Sequence, residues 1–80
     1  MHKYLVIIER GETSFGAYSP DLPGCIAVGE TQEEAEARML NAMQGYIEYL
    51  REKGMEVPVP TTAAAFMVPV PEVATAESAA

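Results

Sequence analysis

Cysteine and histidine each occur once in this 80-residue sequence. One cysteine rules out an internal disulfide framework, which fits a reducing cytoplasm. A metal site needs several convergent His, Cys, Asp or Glu ligands, and neither His2, at a terminus, nor Cys25 has such company in the sequence. A Ser-His or Cys-His nucleophile pair could be built only through His2. Basic residues are scarce too. Lys3, Arg10, Arg38, Arg51 and Lys53 are scattered among twelve acids, giving a net charge of −7. Phosphate-backbone binding needs clustered Lys and Arg, so direct nucleic-acid binding is not expected. Long apolar runs are missing as well. Tyr4-Leu5-Val6-Ile7-Ile8 is far shorter than the ~20 residues of a membrane span and is not a complete signal segment. The chain reads as cytoplasmic, with no membrane partner and no cofactor. The glycines stand apart, with no phosphate-binding loop among them.

What is present suits one small α+β domain over residues 1–70. Residues 3–9 read as a first strand, with Tyr4, Val6 and Ile8 on one face and Leu5 and Ile7 on the other. The polar stretch 10–14 suits a hairpin loop. Phe15-Gly16-Ala17-Tyr18-Ser19 reads as a second strand ended by Pro20, and Cys25-Ile26-Ala27-Val28-Gly29 as a third. Short loops between them imply an antiparallel meander. In the intervening turn, Pro23 sets φ and Gly24 accepts the positive φ of a type II turn, with Asp21 able to bond the turn's own amides.

A helix follows. Thr31 and Glu34 fit a capping box, acids fill the first turn, and Gly54 is a C-terminal stop. Ala35, Met39, Ala42, Met43, Tyr46, Ile47 and Leu50 recur at spacings of three and four and form one apolar stripe. Gly45 costs about 1 kcal/mol relative to Ala, which the stripe can outweigh. The Val57–Thr62 connector is proline-stiffened, and Ala64–Val68 is a candidate last strand, so the order is β-β-β-α-β. Residues 71–80 are Ala-, Ser-, Thr- and Glu-rich and read as a disordered tail.

One helix covers one face of a sheet. The other apolar face of the first strand is left open, and open apolar patches mark interfaces. Leu5, Ile7, Glu9, Tyr18 and Asp21 are therefore the candidate partner-binding residues, while Pro23, Gly24, Thr31 and Glu34 have structural roles. An acidic domain gains by electrostatic steering toward a basic protein.

The Tyr4–Ile8 run, Gly16-Ala17-Tyr18, Ser19-Pro20-Asp21-Leu22-Pro23-Gly24-Cys25, Gly29-Glu30-Thr31 and the following Glu34-Ala35 resemble the HicB-like antitoxin family across residues 3–60. The resemblance implies a degenerate, partial RNase H-like fold. It also implies binding and neutralisation of a small basic HicA-type mRNA-cleaving ribonuclease in a type II toxin-antitoxin system. The ribbon-helix-helix or helix-turn-helix domain common in full-length antitoxins does not follow in these residues. Two other readings remain. The open face could be used up in a homo-oligomer, a dimer or tetramer, or Glu9, Asp21 and Glu30 could be a remnant of a metal-dependent nuclease site.

Overall fold

The computed structural model describes residues 2–72. Three strands, β1 (Ile7–Arg10), β2 (Phe15–Tyr18) and β3 (Ile26–Gly29), precede one helix, α1 (Gln32–Glu52). The sheet is antiparallel in the order β1-β2-β3. Register aligns Ile8 with Ala17 and Ala17 with Ala27, and Arg10 with Phe15 and Phe15 with Gly29. Since side chains alternate between faces, these residues share the face that α1 covers.

The strands are shorter than the apolar text suggests. Residues 3–6 lie outside β1, because β2 ends opposite Ile7 at Tyr18 and Pro20 then carries the chain away. Cys25 and Ser19 also fall outside the ladders. Ser19 instead accepts from the Asp21 amide on its hydroxyl (3.2 Å) and from the Leu22 amide on its carbonyl (3.3 Å). Among the described residues, the last strand expected at Ala64–Val68 does not form. No backbone hydrogen bond joins this segment to the sheet. Two alanines offer little to pack against a neighbouring strand, and Pro69 and Pro71 bring no donors to a ladder. The fold among the described residues is thus β-β-β-α. The expected tail lies, from residue 73 on, outside them.

The helix forms as its signals require, with one variation. Thr31 accepts the Glu34 amide on its hydroxyl at 3.0 Å, but the Glu34 carboxylate reaches back to the Glu30 amide (2.7 Å) rather than to Thr31. At the other end, Gly54 takes φ +68, the Met55 amide donates to the Leu50 carbonyl and the Gly54 amide to that of Arg51. This is a Schellman stop, with the left-handed position occupied by the residue that adopts it without strain.

The core is small. Ala17, Leu22, Cys25, Ala35 and Met39 form its buried cluster, with Tyr4, Val6, Ile8, Phe15, Ala42, Met43, Tyr46 and Ile47 packed around it. Leu22 and Met39 are its largest fully buried side chains. Leu22 comes from the turn, which is therefore part of the core and not a surface connection. Cys25 is buried as well, and burial pushes its thiol up, away from thiolate reactivity. α1 approaches the sheet closely at β3: a Cβ on Gly29 would stand 2.6 Å from the Ala35 amide nitrogen.

Candidate partner-binding face

The face of the sheet turned away from α1 follows from the same register. Ile7 pairs with Tyr18 and Tyr18 with Ile26, while Glu9 pairs with Gly16 and Gly16 with Val28. Cross-strand partners lie side by side on one face, so Ile7, Tyr18 and Ile26 form one row and Glu9, Gly16 and Val28 the next. Among the described residues nothing covers Tyr18, Ile26 and Val28, whereas Ile7 is half-buried, with Ala65, Phe66 and Met67 lining a cleft beside it. Ile26 is 70% exposed and Val28 54%, with Tyr18 at 36%. Gly16 has open space where a side chain would project, leaving backbone bare between Glu9 and Val28. A partner can therefore come down onto the sheet there.

Charge is distributed unevenly around this face. Its end nearest the 11–14 loop carries Glu9 on the face itself, with Glu12 in the loop and Glu30 just past β3, all exposed. Arg10, by alternation along β1, belongs to the opposite face. The arrangement is an apolar row with an acidic end, suited to a partner presenting apolar groups beside basic ones.

Of the residues expected at the interface, Ile7, Glu9 and Tyr18 stand together on this face. Leu5 is half-buried in the chain leading into β1. Asp21 is placed elsewhere: it is buried, and its carboxylate is engaged by the chain's own groups. One oxygen, Oδ2, accepts the Leu5 amide at 3.0 Å. The other, Oδ1, accepts the Thr61 and Thr62 amides at 3.2 Å each and the Thr62 hydroxyl at 2.9 Å. The expectation that Asp21 would bond its own turn's amides is corrected; it ties Leu5, at the chain's entry to the sheet, to Thr61 and Thr62 beyond the helix. The Leu5 amide is the foremost cause holding this carboxyl below the ordinary aspartate range. Burial opposes it, and the Thr62 hydroxyl and the Thr61 and Thr62 amides add to it. A second tie, from the Tyr4 hydroxyl to the Pro58 carbonyl (2.7 Å), fixes the same two segments.

Pro23 and Gly24 hold the turn that delivers Leu22 and Cys25 to the core. The Cys25 amide donates to the Leu22 carbonyl at 3.4 Å, and Gly24 has φ +89, the geometry of type II. Ile26 and Val28 were not singled out from sequence. The alternation within 26–29 carried the signal, but it identifies an outer face only once the register to β2 is known. Glu9, Asp21 and Glu30 do not form a metal site: among the described residues, no three His, Cys, Asp or Glu side chains come together as ligands. Nor is any helix there long and apolar enough to cross a membrane.

Comparison with known proteins agrees with this architecture. Residues 4–76 match the family described as the HicB-like antitoxin of bacterial toxin-antitoxin systems. The chain is also similar to Antitoxin HicB 2 of Photorhabdus laumondii subsp. laumondii, with 33% identity over 69 residues. That alignment covers 86% of this chain and 50% of the relative, so the chain spans about half the relative's length. No solved structure matches. The family match takes in the sheet, the Pro23-Gly24 turn, the helix and the connector beyond it, and the chain belongs to the HicB-like antitoxin family.

Proposed function

We propose that this chain is an antitoxin that binds and neutralises a small basic HicA-type mRNA-cleaving ribonuclease in the cytoplasm, acting as a binding protein and not as an enzyme. The observation that carries this reading is the outer face of the sheet, where Tyr18, Ile26 and Val28 are exposed beside a half-buried Ile7 and an acidic end. On a chain of net charge −7, such a face recruits a basic protein by steering and holds it by apolar burial. Masking a ribonuclease requires area and complementarity, and no reactive group. Partner contact falls to Ile7, Glu9, Tyr18, Ile26 and Val28.

The test is an RNA-cleavage assay with a HicA-type toxin titrated by this protein. Stoichiometric inhibition and a stable complex on gel filtration are expected. Cleavage unaffected by excess protein overturns the reading. Ile26→Asp, at an exposed position, should weaken the complex about tenfold or more, ~1.4 kcal/mol, while leaving thermal unfolding unchanged.

The protein is also proposed to self-associate, as a dimer or tetramer. A domain this small buries a limited fraction of its surface, and Phe66, Met67, Val68 and Val70 lie exposed outside the sheet face.

A further inference from the structure

The segment after Thr62 leaves the domain as an apolar arm. Phe66 is 82% exposed and Met67 95%, and Val68 and Val70 are exposed beside them. Isolated exposed apolar residues are ordinary on a protein surface, but a continuous line of them is not. The root of the arm is fixed by the Asp21 contacts to Thr61 and Thr62. From there it runs in the same direction as β1. Ala63 and Ala64 lie across a cleft from Lys3 to Leu5, and Phe66 and Met67 across a second cleft from Leu5 to Ile8.

On the other side of that same stretch of chain is a groove of about 400 Å³. Its walls are Tyr4, Val6 and Ile8 on one side and Leu40 and Met43 on the other, with Met39 between them and Glu36 at its rim. It exists because α1 leaves the inner face of β1 partly uncovered. Methionine-lined walls adapt their shape to an incoming side chain.

We propose that two copies of this chain associate reciprocally, the Phe66–Val70 arm of each lying in the groove between α1 and residues 4–8 of the other. Charge favours a second copy as the occupant. Each copy is at −7, so most surfaces repel, yet residues 57–71 contain no charged side chain. The arm is thus the part of the molecule that can approach an acidic copy without juxtaposing like charges. A basic partner would instead be drawn to the carboxylates. Shape favours it too. In an extended chain Phe66, Val68 and Val70 project to one side, and can enter an apolar groove together. Pro69 and Pro71 hold the arm extended beforehand, lowering the ordering cost, and block its use as an added strand. A twofold arrangement seats two arms at once. With each aromatic burying ~150–250 Å², the two arms together approach the ~1,200 Å² at the lower bound of stable interfaces.

The proposal rests on the self-association reading above and names its surfaces: a monomeric chain removes both, a dimer indifferent to Phe66→Asp removes the arm alone, and toxin binding is untouched because the test contains no toxin. Light scattering on the full chain at tens of micromolar should give a dimer or an even-numbered multiple of it. Phe66→Asp should shift this to monomer, raising the dissociation constant about tenfold or more, with the circular dichroism spectrum unchanged. Independently, a copy carrying Leu40→Cys and a differently tagged copy carrying Val68→Cys should form a disulfide with each other on mild oxidation. Placing both cysteines in one chain should give the cross-link between chains, not within one. A monomeric wild-type chain, a dimer indifferent to Phe66→Asp, or a cross-link confined to one chain overturns the proposal. Should Phe66→Asp fail to fold, the cross-link decides.

Discussion

Asp21 shows how one side chain can organise a small domain. Its carboxylate accepts from the Leu5 amide, the Thr61 and Thr62 amides and the Thr62 hydroxyl. It therefore joins the chain entering the sheet to the chain leaving the helix. A carboxyl held below its ordinary value stabilises the fold fully above the unfolded pKa of about 3.9, and that stability is lost as pH falls through the depressed folded value. Asp21→Asn should therefore lower the melting temperature near neutral pH, and the gap from wild type should narrow as melts are taken from pH 6 toward pH 3. A gap constant across that range would contradict this role. The glycines at 24 and 29 matter for different reasons. Gly24 has open space around it and is needed for its positive φ, so Gly24→Val strains the backbone by about 1–3 kcal/mol. Gly29 is needed for room, since a Cβ there meets helix backbone at 2.6 Å and 2.9 Å. Gly29→Ala should cost about 1–3 kcal/mol by overpacking. Urea denaturation would show both losses, and an unchanged midpoint for either would refute the corresponding mechanism.

Among the elements, α1 is the most strongly specified. Its N-terminus is capped by Thr31, its first turn carries Glu33 and Glu34, and Gly54 ends it. Arg38 adds a bond to the Val28 carbonyl at 2.8 Å while lying 3.5 Å from Glu34. The ion pair is exposed and contributes little, so the cap is the better target. Thr31→Ala should destabilise the protein by about 1 kcal/mol, measured in the same denaturation. The strands are specified less by their own residues than by what stands opposite. Tyr4, Leu5 and Val6 continue the apolar run of Ile7 and Ile8, yet they lie outside the ladder because the chain opposite has already turned at Ser19-Pro20. The 64–68 segment has the direction of a neighbouring strand without the hydrogen bonds of one.

At the scale of the whole molecule, the helix divides the apolar surface into a covered face and an open one. The open face, with Ile7, Tyr18, Ile26 and Val28, is the surface proposed to meet a basic toxin. Association should therefore slow as salt rises, since steering by exposed carboxylates is screened over ~10 Å at 0.1 M. The dissociation rate, set by apolar burial, should change far less. Stopped-flow measurements across a salt series would separate the two, and an association rate indifferent to salt would remove the electrostatic part of the argument.

The helix, its stops, the type II turn and the existence of three strands were all legible in the sequence. Each rests on local chemistry: a cap three residues from its amide, a period of three and four, a proline beside a glycine. The resemblance carried by the Tyr18–Cys25 segment points to the family from local residues alone. Other features depended on groups far apart in the chain. No local signal brings Thr61 to Asp21, places helix backbone against Gly29, or shows that Ile26 and Val28 face outward beside Tyr18. Nor does the text of 64–68 reveal that its edge of the sheet stays unpaired. Periodicity shows which residues share a side; only tertiary packing decides which side is covered, and here that choice leaves Tyr18, Ile26 and Val28 exposed.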